Sequence, residues 1–267
     1  MTEERTMKLI VCIKQVPNTV EVKLDPATGR LIRDGVPNII NPDDKNALEE
    51  ALRIKDENPG TTVTVLSMGP AQADVAMREA LAMGADKAIL LSDRAFGGSD
   101  TWATSYIIAT AIKKINDFDI ILCGRQAIDG DTAQVGPQIA EQLNIPQITY
   151  VEELTVSGDK VTARRKLEEG YSVVEAKLPV LITAIKELNT PRYMTPAGIF
   201  DAYKKEVKVW GFDDVPVDPE KIGLKGSPTN VRNTFSPDAK GHGMMLDGSD
   251  RMTVKNLFDR LDEKHLL

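Results

Sequence analysis

The sequence contains few residues of the kinds that build metal centres and hydrolytic active sites. Among its 267 residues there are two cysteines, Cys12 and Cys123, and two histidines, His242 and His265, both near the end of the chain. Two cysteines cannot form a disulfide framework or a thiolate cluster. Because the main part of the chain contains no histidine, it cannot form a Ser-His-Asp triad, a Cys-His pair or a histidine metal site. We therefore predict no catalytic side chain and no metal site, and we expect a bound cofactor to carry the chemistry.

Basic residues and long apolar runs are also scarce. The net charge is −7 and the charged residues are spread along the chain, which argues against a nucleic-acid-binding protein. The longest apolar stretches, such as Leu9 to Ile13, fall far short of the roughly 18 to 20 residues of a membrane span. The acidic N-terminus MTEERTMKLIV does not resemble a signal peptide, so we expect a cytoplasmic protein.

The hydrophobic pattern predicts an α/β fold. From Met7 to about Thr183, short β-branched runs alternate with segments of helical period, which is typical of an open, mostly parallel sheet flanked by helices. The predicted strands are Lys8 to Ile13, Thr61 to Leu66, Lys87 to Leu91, Ile120 to Cys123 and Val180 to Ala184. The first predicted helix begins after Asn41, which is its expected cap. Further helices are predicted over Ala71 to Met83, Thr101 to Ile115 and Thr253 to His265.

Two regions depart from this alternation. The block Ile148 to Glu175 mixes polar and apolar residues at short range and contains two turn signals, so we predict a small antiparallel addition to the sheet. After Pro191 the composition shifts to Pro, Gly, Lys and Asp, which predicts an extended C-terminal arm laid on another subunit. We therefore divide the chain into an α/β domain, 1–190, and a docking loop with its arm, 191–267.

The strand-to-helix junctions carry the signal for a ligand, because ligands of open parallel sheets bind outside the carboxyl ends of the strands. Glycines at such junctions allow close approach to the backbone, and free amides at a helix start favour a phosphate. The junction Gly124 to Thr132, followed by Gln134-Val135-Gly136-Pro137, has the composition that suits an adenosine diphosphate group. The chain has neither a GxGxxG fingerprint nor a GxxxxGK[ST] phosphate loop.

Some junction residues have other interpretations. Asn41-Pro42 and Ser99-Asp100-Thr101 could be simple helix caps. Asp129 and Asp131 could be metal ligands or an acid/base pair, although no third carboxylate or histidine lies near them in sequence. A regulatory or hydrolytic nucleotide-binding protein of similar architecture is a further alternative, but it requires a phosphate-cleaving constellation that the sequence does not contain.

Several segments resemble the β subunit of electron transfer flavoproteins, over about residues 7 to 205 and in the same order. They are KLIVCIKQVPNT, DGVPNIINPDDKNALEEAL, SMGPAQADVAMREALAMGADKAILL, GRQAIDGDTAQVGPQIAEQL, ARRKLEEGYSVVEAKLPVLITA and LNTPRY. The resemblance implies a sheet of the adenine-nucleotide-binding type and a heterodimer with a larger α subunit. It also implies a bound adenine nucleotide, which is either structural AMP or part of a second FAD.

Carried over position by position, the resemblance implies a set of cofactor contacts at the junctions. The contacts are Cys12, Asn41, Asp44, Met68, Gly124, Arg125, Gln126, Ala127, Ile128, Asp129, Gly130, Asp131, Thr132, Ala133, Gln134 and Val135. The stretch Asp93 to Ser105 resembles the flavin-bifurcating members, which adds Asp100, Thr101, Ala103 and Thr104 along the FAD chain and places Phe96 near the isoalloxazine. FAD is therefore the expected cofactor, with AMP as the alternative.

The segment Asn189 to Phe200 resembles the loop that docks onto the dehydrogenase partner. It implies contacts from Tyr193, Met194, Pro196, Ile199 and Phe200. Of these, Met194, Ile199 and Phe200 could equally be core residues of this chain. Pro196 stands where the AMP-binding members have an anchoring leucine, which puts their usual docking geometry in doubt. The function implied is electron bifurcation, in which the β-subunit FAD accepts a hydride from NADH and passes electrons to ferredoxin and, through the α-subunit FAD, to an acyl-CoA or hydroxyacid dehydrogenase. The alternative is a non-bifurcating carrier that binds AMP.

Overall fold

The computed structural model describes residues 6–18, 23–24, 31–32, 37–230, 241, 243–248 and 250–267. This part of the chain contains thirteen strands and six α-helices. The strands are β1 (Lys8–Cys12), β2 (Gln15–Pro17), β3 (Lys23–Leu24), β4 (Leu31–Ile32), β5 (Asn38–Ile40), β6 (Thr62–Met68), β7 (Lys87–Leu91), β8 (Ile120–Gly124), β9 (Gln147–Ser157), β10 (Lys160–Lys166), β11 (Tyr171–Lys177), β12 (Val180–Ala184) and β13 (Val207–Trp210). The helices are α1 (Pro42–Glu57), α2 (Asp74–Met83), α3 (Thr101–Ile115), α4 (Val135–Leu143), α5 (Pro196–Ala202) and α6 (Arg251–Glu263).

A nine-stranded sheet forms the centre of the fold, in the order β11-β10-β9-β12-β8-β1-β6-β7-β13. From β9 to β13 in this order, all neighbouring strands are parallel, whereas β10 is antiparallel to both β9 and β11. This architecture confirms the predicted α/β fold with an open, mostly parallel sheet.

The order of the strands creates a topological switch point beside β1. After β1 the chain adds β6 and β7 on one side and then returns to add β8 on the other side. The carboxyl ends of β1 and β8 therefore diverge into loops on opposite sides, which leaves the crevice where open α/β sheets bind ligands.

The central strands are apolar along nearly their whole length because helices cover both faces of the sheet. Leu9 and Val11 of β1 face an apolar cluster that includes Leu48 of α1 and Met77 of α2. Ile10 and Cys12, at the alternate positions, face a second cluster built with α3 and α4, in which Ile112 and Ile139 are fully buried. Because successive side chains of a strand point to opposite faces of the sheet, β1 contributes residues to both apolar clusters.

The predicted antiparallel addition is present as β9, β10 and β11. Turns at 158–159 and 167–170 join these strands, and Gly158 and Gly170 adopt positive φ values of 60° and 88° there. Beyond the prediction, β9 also pairs in parallel with β12, so the addition extends the main sheet rather than standing apart from it.

The tail differs from the expected arm in its first part. Val207–Trp210 forms β13, which pairs with β7 at the edge of the main sheet. Val215 and Ile222 then return to the apolar cluster on the α3 side. One compact unit consequently runs from Met1 to Asn230, past the division expected after residue 190. Pairing to an open sheet edge depends on distant residues, so local composition did not indicate it.

Residues 231–267 form a second unit. Residues 231–240, 242 and 249 of the predicted arm lie outside the described residues. Helix α6 begins at its cap Asp250, whose carboxylate accepts the Thr253 N–H at 2.8 Å. Its apolar side chains Met252, Leu257 and Phe258 are exposed. In the described parts of the chain, no helix is long and apolar enough to cross a membrane.

Candidate functional site

A cavity of about 390 Å³ lies at the switch point, at the carboxyl ends of β1, β6 and β8. It is bounded by the first turns of α3 and α4 and by four junctions, namely the residues that follow β1, the end of β6 at Met68, Ser99-Asp100-Thr101 before α3 and the loop that follows β8. The lining residues are Cys12, Ile13, Lys14, Asp44, Met68, Ser99, Asp100, Thr101, Thr104, Ile108, Cys123, Gly124, Arg125, Gln126, Ala127, Gly130, Asp131, Thr132, Ala133, Gln134, Val135, Gly136 and Ile139.

Most of the expected cofactor contacts therefore lie around one cavity. Asn41, Ala103, Ile128 and Asp129 do not line it. The expected set omits several lining residues, namely Ile13, Lys14, Ser99, Ile108, Cys123, Gly136 and Ile139. Ile108 was accessible to sequence reasoning, because it follows Thr101 and Thr104 on the same face of α3 at helical spacing.

Asn41 connects the start of α1 to the loop after β8. Its amide nitrogen donates to the Gln126 carbonyl at 2.8 Å, and its side-chain oxygen accepts the Ile128 N–H at 3.0 Å. The expectation that the Asn41 side chain caps α1 is wrong, because that side chain makes no capping hydrogen bond. It is committed instead to holding the 126–128 backbone in place.

Asp44 joins two of the junctions beneath the cavity. Its carboxylate accepts the Lys14 N–H at 2.8 Å and the Gly124 N–H at 2.9 Å. Burial raises the pKa of Asp44 to about 7, while hydrogen bonds from Lys14, Asn41 and Gly124 lower it and the charge of Asp43 raises it. The loss of hydration therefore outweighs three hydrogen bonds, and this carboxyl group titrates near neutral pH.

Gly124 is required at the end of β8 by the approach of α1. A Cβ atom on Gly124 would lie 2.4 Å from the Asp44 Oδ1 and 2.6 Å from the Asp44 backbone nitrogen. Both distances are far shorter than van der Waals contact, and one involves backbone that cannot move aside. The glycine thus allows the helix start and the strand end to meet at the floor of the cavity.

The loop that follows Gly124 has a tightly determined conformation. Asp131 and Ala133 both have left-handed backbones, with φ values of 47° and 52°. The Gln126 amide donates to Asp131 at 2.8 Å, and Lys14 forms an ion pair with Asp129 at 2.7 Å across the two junctions. Left-handed conformations at residues other than glycine cost of order 1 kcal/mol or more each and occur preferentially at functional sites.

The junction before α3 is held by hydrogen bonds with residues of the 223–229 segment. Asp100 caps α3 by accepting the Ala103 N–H at 3.0 Å and also accepts the Thr229 N–H at 2.9 Å. Ser227 Oγ accepts the Asp100 N–H at 2.8 Å, and Ser99 Oγ accepts the Gly223 N–H at 2.9 Å. Sequence reasoning missed these residues of the 223–229 segment, since nothing local marks a contact across more than 120 positions.

Phe96 does not line the cavity. Its side chain is 3% exposed and packs in the apolar cluster that contains Leu91 and Ile107. An aromatic ring in the core gains more from burial than it would in a polar loop. The position of Phe96 near an isoalloxazine stays a prediction, and its ring leaves little surface free for contact with a cofactor.

Thr101 connects the start of α3 with the loop before α4. Its hydroxyl donates to the Gln134 side-chain oxygen at 2.9 Å. Both residues line the cavity, so this bond joins the two helix starts at its edge. The first amides of two helices consequently border the same space, which is an arrangement that favours an anionic ligand.

The predicted docking residues form an exposed apolar patch, defined here as Tyr193, Met194, Pro196, Ile199 and Phe200. Tyr193 is 95% exposed and Phe200 is 73% exposed, so these side chains are not core. The backbone around them is nevertheless anchored. Arg192 pairs with Glu49 at 2.9 Å, and Arg78 donates to the Ala202 carbonyl at 2.8 Å.

The fold and the cavity define a doubly wound α/β protein with a ligand-sized site at its switch point. A family model described as the electron transfer flavoprotein domain matches residues 28–215. The chain is 59% identical to the electron transfer flavoprotein subunit beta of Thermoanaerobacterium thermosaccharolyticum over 98% of this chain and all of the relative. It is 56% identical to the caffeyl-CoA reductase-Etf complex subunit CarD of Acetobacterium woodii, with the same coverage.

A further relative is the acryloyl-CoA reductase electron transfer subunit gamma of Anaerotignum propionicum, which is 50% identical over 98% of this chain and all of that relative. The family model matches most of the chain, and the sequence identities of 50% to 59% to these relatives extend over 98% of it. The chain therefore belongs to the electron transfer flavoprotein family, as a β subunit.

Proposed function

We propose that this chain is the β subunit of an electron-bifurcating flavoprotein and that its cavity holds the adenosine phosphate part of a FAD. The observation that carries the proposal is the convergence of four junctions and two helix starts on one cavity at the switch point. No catalytic side chain is assigned. The contribution of the chain is to bind and orient the cofactor.

The residues around the cavity suit an adenosine phosphate. Ile108, Ile139 and Met68 offer apolar surface for a base, while the starts of α3 and α4 offer amides for phosphate oxygens. Lys14, whose ammonium pairs with Asp129, adds a cationic side chain to the lining. The volume of about 390 Å³ lies within the roughly 300 to 1,000 Å³ of small-molecule sites.

The start of α3 is the reason to favour FAD over AMP. The start of α3 contributes four lining residues, Ser99, Asp100, Thr101 and Thr104, and bonds with Ser227 and Thr229 hold this junction in place. FAD consists of AMP joined to a flavin mononucleotide, so its flavin part would continue past this junction. FAD supplies two-electron chemistry with a nicotinamide and one-electron chemistry with other carriers.

The proposed partners are an α subunit, NADH as donor, ferredoxin as an acceptor and an acyl-CoA or hydroxyacid dehydrogenase, all in the cytoplasm. Two relatives carry the names of subunits that serve CoA-linked reductases, which supports a dehydrogenase of this class. The exposed apolar patch around Phe200 sits on an anchored backbone, as expected of a docking surface for that enzyme.

Two matched variants of α3 test the site. Thr101→Val removes the hydroxyl that joins the two helix starts, whereas Thr110→Val removes a hydroxyl on the same helix that donates to the Tyr106 carbonyl at 2.7 Å. The complex with the α subunit should bind its β-subunit FAD about fivefold more weakly with Thr101→Val than with Thr110→Val, as judged by FAD loss on dialysis and as expected for one polar contact of about 1 kcal/mol. Equal retention in both variants would contradict the placement of the cofactor.

The bifurcation itself has a separate assay. The wild-type complex is mixed with NADH, ferredoxin, the dehydrogenase and its oxidised substrate, and control reactions leave out either the ferredoxin or the dehydrogenase with its substrate. Ferredoxin reduction is expected only when the dehydrogenase and its substrate are present. Substrate reduction that proceeds at the same rate without ferredoxin would indicate an ordinary carrier.

A further inference from the structure

The two cysteines of the chain face each other at the floor of the cavity. Cys12 of β1 and Cys123 of β8 are direct partners in the register of these parallel strands. Direct partners point to the same face of a sheet, and both side chains belong to the apolar cluster on the α3 side. Adjacent strands lie about 4.8 Å apart, which is within the roughly 4.4 to 6.8 Å between Cα atoms that a disulfide bridges.

The cavity is the route by which a reagent reaches these thiols. Cys12 is 8% exposed and Cys123 is 6% exposed, and both line the cavity. A hydrogen bond to Cys12, together with burial, raises the pKa of Cys123 well above its usual value. Cys123 therefore keeps its proton, which disfavours its thiol as the first nucleophile.

We propose that Cys12 and Cys123 form an oxidative modification site whose product is a disulfide across β1 and β8. The oxidant is hydrogen peroxide, which enters through the cavity when no nucleotide is bound. The Cys12 sulfur attacks one peroxide oxygen, which gives a sulfenic acid and releases one water. The Cys123 sulfur then attacks the Cys12 sulfur and displaces the hydroxyl as a second water, so two thiols are oxidised and one peroxide is reduced.

A bound adenine nucleotide covers the two thiols and blocks this reaction. That protection rests on the proposed function, whereas formation of the disulfide does not. An oxidised pair would tie the ends of β1 and β8 together directly beneath the ligand, so we also expect the disulfide to slow reloading of the nucleotide.

The test uses the complex of this chain with its α subunit, depleted of nucleotide by dialysis and exposed to hydrogen peroxide. Free thiols are then alkylated, and the protein is digested with trypsin for mass spectrometry. The chain offers a clean readout, because trypsin places the two cysteines on separate peptides, Leu9–Lys14 and Ile115–Arg125. The expected product is these peptides joined, two hydrogen atoms lighter than their sum.

A variant without the second thiol tests the role of Cys123 in the reaction. Cys123→Ser should yield Cys12 sulfinic acid, because no second thiol is present to trap the sulfenic acid. Two alkylated cysteines in the treated wild type, or a Cys12 sulfinic acid beside a free Cys123, would overturn the proposal. A disulfide that forms equally fast with saturating AMP or FAD would leave the modification site intact and contradict the placement of the nucleotide.

Discussion

The buried carboxyl group of Asp44 predicts a pH dependence of stability that can be measured directly. Its pKa is about 7 in the folded chain against an ordinary value of 3.8. Between these two values the folded state holds a proton that the unfolded state has lost. The free energy of unfolding must therefore fall as pH rises from about 4 to 7, and the effect should level off above pH 7.

The size of the effect follows from the shift. A difference of about 3 pKa units corresponds to about 4 kcal/mol across the whole range, at 1.36 kcal/mol per unit. Between pH 5 and pH 6.5 this amounts to about 2 kcal/mol. Asp44→Asn abolishes the titration, and it also leaves either the Lys14 or the Gly124 N–H without an acceptor, at about 1 to 3 kcal/mol.

The assay is urea unfolding of the complex with the α subunit at several pH values from 5 to 8. The deficit of Asp44→Asn relative to wild type should be largest at pH 5 and should shrink by about 2 kcal/mol by pH 6.5. Asp86→Asn is the control variant. Like Asp44, Asp86 accepts a backbone N–H, from Val63 at 2.8 Å, but its carboxylate also forms an ion pair with Lys55. Parallel curves for wild type and Asp44→Asn would refute the reasoning.

Three further substitutions test other parts of the account. Asn41→Ala removes both bonds to the 126–128 backbone and should weaken nucleotide retention on dialysis about tenfold, while unchanged retention would count against the proposed role. Gly124→Ala should lower the free energy of unfolding by about 1 to 3 kcal/mol in urea titrations, whereas Gly130→Ala, with open space around its Cβ position, should have little effect. Phe200→Ser should raise the concentration of complex needed for half-maximal dehydrogenase reduction about tenfold with unchanged flavin content, and equal effects from Tyr171→Ser, also exposed but on β11, would argue against a docking role.

The alternation of strands and helices was predictable because the central strands are buried on both faces. Such strands must be apolar along their buried length, as β1 is after Lys8 and as β8 is throughout. This pattern can be read from the sequence without knowledge of the neighbouring strands. The junction residues were predictable for a related reason. Their glycines and polar side chains follow directly after those runs, where a parallel sheet places its ligands.

The remaining features depend on contacts between distant parts of the chain. The pairing of Val207–Trp210 with β7 and the bonds from Ser227 and Gly223 to the α3 junction have no local signature. Asn41 illustrates the limit of local rules. Its position before Pro42 is typical of a capping residue. In the structure, however, its side-chain nitrogen and oxygen both hydrogen-bond to the backbone of the loop after β8 instead of to α1.

The most direct test of the account is the cofactor content of the complex. The chain is co-purified with its α subunit, the complex is denatured, and the released FAD and AMP are quantified by chromatography. We expect two FAD and no AMP per heterodimer, one FAD from each subunit. One FAD with one AMP would contradict the proposed bifurcating role and identify the cavity as the site of a structural nucleotide.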